Sequence, residues 1–314
     1  MGSDSSVNYS LRPSKSIERK MMLDILKEIC TPNVIDDYQY IGFGASFFVD
    51  FNLFHKGLGI KKMISIEGNV SPEGKKRCDY NKPFSCIKLE SGKSYEVLPK
   101  LNWDLKTIAW LDYDKGLQNY MIDDIDTYCR NVKENGLLFI SLRNEFIEKT
   151  IEDFKSKFDL FLPSKFDVED FEPFNTQITL RKIFLNVIEN VIVESQSSLD
   201  VEDRLIFKQF FNLTYQDGIE MFTFGGIFIK KSEAATFNQY HFLNKNFISQ
   251  DEAVVNISFP IITNKEYHLL NSLLPDLENN YDENPQIEFI PSKHRKTYKY
   301  IYLYYPSYLE SLNL

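Results

Sequence analysis

The stretch that decides the fold is Tyr40-Ile41-Gly42-Phe43-Gly44-Ala45. It follows a short predicted strand at 38–41 and leads into a predicted helix at 45–56. A glycine-rich turn between a strand and a helix lets the backbone approach a ligand closely, and the helix then presents its amide groups. The turn has no third glycine, and Gly-x-Gly is common in ordinary turns. The turn alone therefore does not establish a ligand site, and the neighbouring elements must be considered with it.

The alternation of strands and helices that begins here continues to about residue 158. Further strands are predicted at 62–67, 84–89, 107–111 and 137–142, and helices follow Pro72 and cover 94–101, 117–132 and 144–158. Three of the strands are continuously apolar, which is typical of parallel strands covered by helices on both faces. The pattern predicts an α/β fold with a Rossmann-like, doubly wound and mostly parallel sheet.

The pattern changes after residue 158. The region near 159–205 is interpreted as an insertion, with an amphipathic helix at 183–193. Two β-rich runs, 207–215 and 220–229, flank the turn Gln216-Asp217-Gly218. This arrangement predicts an antiparallel hairpin that ends the sheet.

The chain is therefore divided into three parts. Residues 1–34 hold an N-terminal segment and a helix, residues 35–232 the Rossmann-like domain, and residues 233–314 a small α+β appendage. Within the appendage we predict a strand at 254–259 and a helix that starts near Thr263. Tyrosines alternate with aliphatic residues over 300–304, which predicts a packed terminal strand.

Composition limits the classes to which the protein can belong. Its 314 residues are 43% hydrophobic and 15% aromatic, enough for a sizeable core and too apolar for a disordered chain. A net charge of −9 argues against a protein that wraps duplex DNA, and no apolar run predicts a membrane span. The four cysteines show no metal-ligand spacing, which favours reduced thiols in the cytoplasm. Basic clusters at 15–20, 75–77 and 293–296 are interpreted as solvated surface charge.

Candidate cofactor contacts end the second and third predicted strands. Glu67 and Gly68 end the second strand, and a carboxylate there can accept hydrogen bonds from both hydroxyls of an adenosine ribose. Ser91 and Gly92 end the third strand, where a contact with adenine or ribose would fall.

Candidate substrate contacts end the fourth predicted strand, where Asp112, Tyr113 and Asp114 follow each other. The carboxyl end of a central strand faces the ligand crevice of an open α/β sheet. Asp112 comes directly after four apolar residues and is the stronger candidate. Asp114 could equally cap the next helix.

These motifs stand in the order found in class I S-adenosylmethionine-dependent methyltransferases, which the chain resembles. The order is Ile41-Gly42-Phe43-Gly44, Ile66-Glu67, Leu111-Asp112-Tyr113-Asp114 and Gly136-Leu137-Leu138-Phe139-Ile140. More narrowly, the chain resembles bacterial O-methyltransferases of unassigned substrate in Leu11-Arg12-Pro13-Ser14-Lys15 and Trp110-Leu111-Asp112-Tyr113-Asp114.

The resemblance implies that S-adenosylmethionine is the cofactor and that a methyl group is transferred to an oxygen acceptor. The implied cofactor contacts are Gly42, Phe43, Gly44, Ser46, Glu67, Gly68, Ser91, Gly92 and Asp112, and the implied catalytic residues are Asp112, Tyr113 and Asp114. No metal site is implied. Arg12 and Lys15 could close over the pocket, although solvated charges are the commoner case near an N-terminus. The fourth strand lacks the Asn/Asp-Pro-Pro-Tyr motif of DNA amino-methylation, and a carboxylate suits hydroxyl chemistry better.

One departure from the family pattern keeps two alternatives open. The acidic residue that usually precedes the first glycine is absent, because Tyr38-Gln39-Tyr40 stands there. This favours a catalytically degenerate protein that binds the cofactor or a partner within a larger assembly. A third reading, less favoured, uses the C-terminal tyrosines and the 293–296 cluster to bind single-stranded nucleic acid. The expected partners are an unknown methyl acceptor and a partner protein or second copy of the chain, but no membrane.

Overall fold

The computed structural model describes residues 11–68, 71–148, 150–163, 176–276 and 280–306. The strands in these ranges are β1 Tyr38–Gly42, β2 Met63–Glu67, β3 Ile87–Ser91, β4 Lys106–Asp112, β5 Leu137–Arg143, β6 Leu205–Gln216, β7 Glu220–Lys230 and β8 Val255–Ile257. The helices are α1 Pro13–Ile29, α2 Val49–Leu58, α3 Pro72–Asn81, α4 Ser94–Val97, α5 Asn119–Asn131, α6 Ile151–Phe158, α7 Thr176–Ser195, α8 Ala234–Phe237, α9 Asn264–Ser272 and α10 Ser292–Ile301. None of these helices is both long and apolar enough to cross a membrane.

The strands form one sheet in the order β3-β2-β1-β4-β5-β7-β6-β8. Strands β1 to β5 are parallel, and β7 runs antiparallel to both β5 and β6. The chain reverses its direction of travel across the sheet between β1 and β4, which opens a crevice at their carboxyl ends. The predicted Rossmann-like sheet with its antiparallel hairpin is confirmed.

Side chains on the two faces of the sheet belong to different hydrophobic clusters. On one face, here called the α1 face, Tyr40 and Trp110 pack with α1 and α2. On the other, the α5 face, Ile41 and Leu111 pack with α5, α6 and α7. Because successive side chains of a strand alternate between faces, the side chain at the end of each strand points either to the α1 face or to the α5 face.

Two predicted elements differ from the structure in where they begin. Strand β3 begins at Ile87 rather than at 84, because Phe84 leaves the ladder and packs against His55, with the two rings tilted by 40° and their centroids 4.1 Å apart. Helix α6 begins at Ile151 rather than at 144, because the amide of Asn144 donates to the carbonyl of Glu220 at 3.0 Å. The segment after β5 is thereby tied to the hairpin instead of starting a helix.

The predicted terminal strand is wrong. Residues 292–301 form α10, and a 3-10 turn covers Tyr302–Tyr304. Tyr298, Ile301 and Tyr304 are the buried residues, and their spacing of three is the period of a helix rather than of a strand. The rings of Tyr298 and Tyr304 are consequently buried against other side chains.

The parts assigned to an insertion and an appendage contribute to the main sheet. In the first, α7 covers the α5 face with Leu180, Ile183 and Phe184, while residues 164–175 lie outside the described residues. In the second, β8 pairs in parallel with β6. A separate cluster, Leu270, Tyr281, Ile287, Ile290 and Tyr298, gives the C-terminal part a small core of its own. The boundaries at 34 and 232 stay a prediction.

The hairpin turn between β6 and β7 fixes the beginning of α1. Arg12, the N-cap residue, makes no capping hydrogen bond with its side chain. Instead the carboxylate of Asp217 accepts the amide protons of Ser14 and Lys15 at 3.0 and 2.9 Å. A carboxylate is favoured at this position because the first amides of a helix lack partners and carry partial positive charge. A residue some 200 positions away therefore caps α1.

We predict that Asp217→Ala lowers the free energy of unfolding by about 1–2 kcal/mol, the usual cost of losing an N-cap. The matched control is Asp36→Ala, which removes the exposed ion pair between Asp36 and Lys61 and should cost about 0.5 kcal/mol or less. Urea unfolding followed by circular dichroism measures both. Equal losses would contradict a capping role for Asp217.

Candidate functional site

The glycines of the turn after β1 are required by their protein neighbours. A Cβ atom added to Gly42 would lie 2.5 Å from the Tyr40 hydroxyl oxygen. One added to Gly44 would lie 2.6 Å from the ring of Phe48 and 2.7 Å from Ser65 Oγ. Ala45 and Phe48 have φ near +48° and +47°, in the left-handed region that side chains rarely adopt. The turn is thus tightly packed and held in a strained conformation.

A hydrogen-bonded path joins this turn to the end of β2. The amide of Gly44 donates to Ser65 Oγ at 2.9 Å, and Ser65 Oγ donates to Glu67 Oε1 at 2.7 Å. The amide of Gly92 donates to the Glu67 carbonyl at 2.9 Å. The structure therefore brings Gly44, Glu67 and Gly92 to one edge of the sheet. Sequence reasoning missed Ser65, although its position two residues before Glu67 places both on the α1 face.

The other predicted cofactor residues border the same edge in different ways. The ring of Phe43 packs edge-on against Tyr113 with centroids 5.4 Å apart, on the α5 face. Ser46 is buried, with its Oγ 4.0 Å from Cys78 Sγ. Gly68 and Ser91 are exposed at the ends of β2 and β3. Both residues are therefore accessible from solvent at this edge of the sheet.

Asp112 ends β4 on the α1 face and is held there by a buried lysine. Lys15 Nζ lies 2.9 Å from Asp112 Oδ1 and 2.8 Å from Glu18 Oε2. The side chains of Lys15 and Glu18 are completely buried, whereas that of Asp112 is 26% exposed. The pair thus presents one partly accessible carboxylate to the crevice. The expectation that Lys15 is a solvated N-terminal charge is wrong, because α1 lies against the sheet at this point.

Aromatic and hydroxyl groups enclose this lysine. Its ammonium lies 4.2 Å from the ring centroid of Trp110 and 5.2 Å from that of Tyr215, within the range of cation–π attraction. Glu18 accepts a hydrogen bond from the hydroxyl of Thr223. Burial raises the pKa of Glu18, and the nearby Lys15 ammonium opposes that rise. The hydroxyl of Tyr215 is buried with no hydrogen-bond partner among the described residues.

Residues 38–40 stand where the family pattern has an acid, and a carboxylate from another element lies beside Tyr40. The Tyr40 hydroxyl donates to Asp50 Oδ2, and Asp50 is 8% exposed on α2. Burial raises the pKa of Asp50, while the positive charge of Arg19 opposes the rise. A buried carboxylate therefore lies next to this segment, although residues 38–40 themselves contain no acid.

Tyr113 and Asp114 do not join Asp112. Tyr113 points to the α5 face, where its hydroxyl donates to Asp124 Oδ2 at 2.7 Å and its ring is buried. Burial raises the pKa of Asp124 to about 6. Asp114 is exposed and does not cap α5, whose N-cap is Gln118. Of the three predicted catalytic residues, only Asp112 contacts the charges that α1 brings to the crevice.

Comparison with protein-family models matches residues 7–313 to the family described as "Putative O-methyltransferase". Comparison with curated proteins finds no match. Similar solved structures include a spermidine synthase from Thermotoga maritima, with 12% identity, a TM-score of 0.39 and coverage of 74% of this chain and 67% of that chain. Another is an rRNA methylase from Streptococcus thermophilus, with 12% identity, a TM-score of 0.33 and coverage of 67% of this chain and 95% of that chain. A third is the SAH-bound methyltransferase PaMTH1 from Podospora anserina, with 9% identity, a TM-score of 0.33 and coverage of 66% of this chain and 76% of that chain.

We predict that Gly44→Ala lowers the free energy of unfolding by about 1–3 kcal/mol, because the added methyl group overlaps Phe48 and Ser65. Gly68→Ala is the matched control, since an added Cβ meets nothing within 4 Å there. Thermal and urea unfolding of both variants measures the difference. A Gly44 variant as stable as the Gly68 variant would contradict the packing requirement.

Proposed function

The chain belongs to the family described as "Putative O-methyltransferase", and we propose that it transfers a methyl group from S-adenosylmethionine to a hydroxyl oxygen held beside Asp112. The observation that carries the proposal is the contact of Asp112 with buried Lys15 at the carboxyl end of β4. That contact puts a fixed, partly exposed carboxylate at the crevice of a doubly wound sheet, where ligands of this architecture bind.

The residues at the ends of β1, β2 and β3 fit the cofactor. Glu67 offers a carboxylate for the two ribose hydroxyls, and the exposed backbone at Gly68 and Ser91 leaves room for the base. The path from Gly44 through Ser65 to Glu67 fixes the distance between turn and carboxylate. When bound, the cofactor supplies an electrophilic methyl group, so the protein need mainly align it with the acceptor.

Asp112 performs the acceptor chemistry in this proposal. Lys15 occupies Oδ1, and no hydrogen bond to Oδ2 is found among the described residues. Oδ2 can therefore accept the proton of an acceptor hydroxyl and orient its oxygen. Lys15 is a positioning residue, because its buried ammonium holds Asp112 through a charged hydrogen bond of 2.9 Å. Tyr113 has no role here, since its hydroxyl belongs to the other face.

We favour an active enzyme over a degenerate protein. The argument for a degenerate protein rests on Tyr38-Gln39-Tyr40 standing where the family pattern has an acid, and the buried carboxylate of Asp50 lies beside this segment, at the Tyr40 hydroxyl. A partner protein or second copy of the chain, and a cytoplasmic location, stay predictions.

We predict that calorimetric titration detects binding of S-adenosylmethionine and that Glu67→Gln weakens it about tenfold or more, because a charged hydrogen bond is worth about 1.5–3 kcal/mol. Glu73→Gln is the matched control, since Glu73 is exposed on α3 away from the crevice. No binding by the unaltered protein at high micromolar cofactor would refute the cofactor assignment. Equal affinities of the two variants would refute the role of Glu67 alone.

We predict that Asp112→Asn slows methyl transfer by about 10²–10⁴-fold, the usual contribution of a general base, while cofactor affinity changes little. The assay uses a ¹³C-methyl cofactor with fractionated cell extract, and the ¹³C chemical shift of the product separates oxygen-bound from nitrogen-bound methyl groups. Asp114→Asn, at an exposed neighbour, should retain the activity. A nitrogen-bound methyl group, or full activity of Asp112→Asn, would contradict the proposed acceptor chemistry.

A further inference from the structure

Positive charge is concentrated in one part of this acidic chain. Residues 56–93 contain nine Lys and Arg against four Asp and Glu, whereas the whole chain contains 36 against 45. This segment runs from the end of α2 through β2, α3 and β3, and β3 is the edge strand of the sheet. The positive charges therefore gather along one side of the molecule.

Helix α3 leaves an open groove beside the edge strand. Cys78 is its only buried residue, although a helix over a parallel sheet normally buries a whole stripe. Between α3 and β3 lies a cavity of about 710 Å³, which is in the size range of ligand sites. Four lysines line it, together with a single acidic residue: Lys75, Lys76, Lys82, Lys88 and Asp79.

The charges at this groove are only partly neutralised. Lys82 pairs with Asp79 at 2.8 Å, and Lys88 pairs with Glu90 at 2.6 Å. Lys75, Lys76 and Arg77 are exposed and form no ion pair with any residue that the structure describes. Three neighbouring exposed cations of this kind attract a polyanion.

An aromatic ring stands on the same helix. Tyr80 is 89% exposed and follows Lys76 by four residues, so the two side chains are neighbours on the surface of α3. Exposed aromatic rings beside cations are the elements with which proteins hold single strands, because every base offers a face for stacking.

The two other basic clusters of the sequence lack this combination. In the first, Lys15 and Arg19 are buried against the sheet. In the cluster at 293–296, Tyr298 is fully buried and Tyr304 is 9% exposed. Tyr300, four residues after Lys296, is half-buried, and its hydroxyl donates to the Asn246 carbonyl. Residues 307–314 of that tail lie outside the described residues.

We propose that the groove between α3 and β3, together with the adjoining exposed face of α3 that carries Arg77 and Tyr80, binds single-stranded nucleic acid. This combined surface is here called the α3 groove. Phosphates contact Lys75, Lys76 and Arg77, and one base stacks on Tyr80. A single strand fits better than a duplex, because stacking on Tyr80 needs an unpaired base. The proposal does not depend on methyl transfer, since none of its residues belongs to the site at Asp112.

The test measures fluorescence anisotropy of the full-length protein with labelled oligo-U and oligo-dT of about twelve nucleotides, within the site sizes of single-strand binders. The triple variant Lys75→Gln, Lys76→Gln, Arg77→Gln should lose about tenfold or more in affinity. Its plot of log affinity against log salt should flatten by about 2, because each lost phosphate contact removes close to 0.7 from the slope. Tyr80→Ala should weaken binding about fivefold or more and leave the salt slope unchanged.

Matched controls use the other end of the chain. The double variant Lys293→Gln, Lys296→Gln removes charge from α10, and Phe289→Ala removes a ring that is 69% exposed. Both should bind like the unaltered protein. Binding of either strand that depends on the α3 groove supports the proposal. Equal losses in the control variants, equally tight binding of a duplex of the same length, or no binding at low salt would overturn it. Cofactor titration of each variant keeps this result separate from the methyltransferase proposal.

Discussion

The burial of Lys15 is the constraint on which the site depends. An ammonium group that is removed from water must be paired, because an unpaired buried charge would cost several kcal/mol. Lys15 meets this requirement with two carboxylates, Asp112 on β4 and Glu18 on its own helix. The pairing holds only while α1 is docked, and Asp217 supports this arrangement by capping the first turn of α1. One buried charge therefore couples α1, β4 and the terminal hairpin.

The two faces of the sheet bring different polar contacts to the end of β4. On the α1 face, β4 ends in a carboxylate that meets the charges of α1, and the neighbouring Tyr40 meets Asp50 of α2. On the α5 face, the next residue of the same strand, Tyr113, donates to Asp124 beneath α5. Adjacent residues thus have unrelated roles, because the pleat turns them in opposite directions. The same alternation places Ser65 and Glu67 together on the α1 face.

The distribution of charge separates the molecule into a closed and an open region. Around Lys15 the charges are buried, paired and enclosed by Trp110 and Tyr215, where low polarity strengthens every electrostatic contact. Along α3 they are exposed and largely without partners, where salt screens them and a mobile ligand can compete with water. The first arrangement suits the alignment of reacting groups, and the second suits the capture of a flexible polyanion.

The sequence by itself determined the doubly wound sheet and most of the residues at the carboxyl ends of its strands. Continuously apolar strands require helices on both faces, and the carboxyl ends of parallel strands share one edge, so Gly44, Glu67 and Asp112 could be placed together. The burial of Lys15 and Glu18 could have been predicted, since their spacing continues the buried stripe of Met22 and Ile25. Charged residues at the start of a helix are, however, usually interpreted as solvated. Only the tertiary structure decided which charges are buried, that Asp217 caps α1, that Asp50 reaches Tyr40, and that the terminal tyrosines form a helix. Each of these depends on contacts between segments that local periodicity cannot relate.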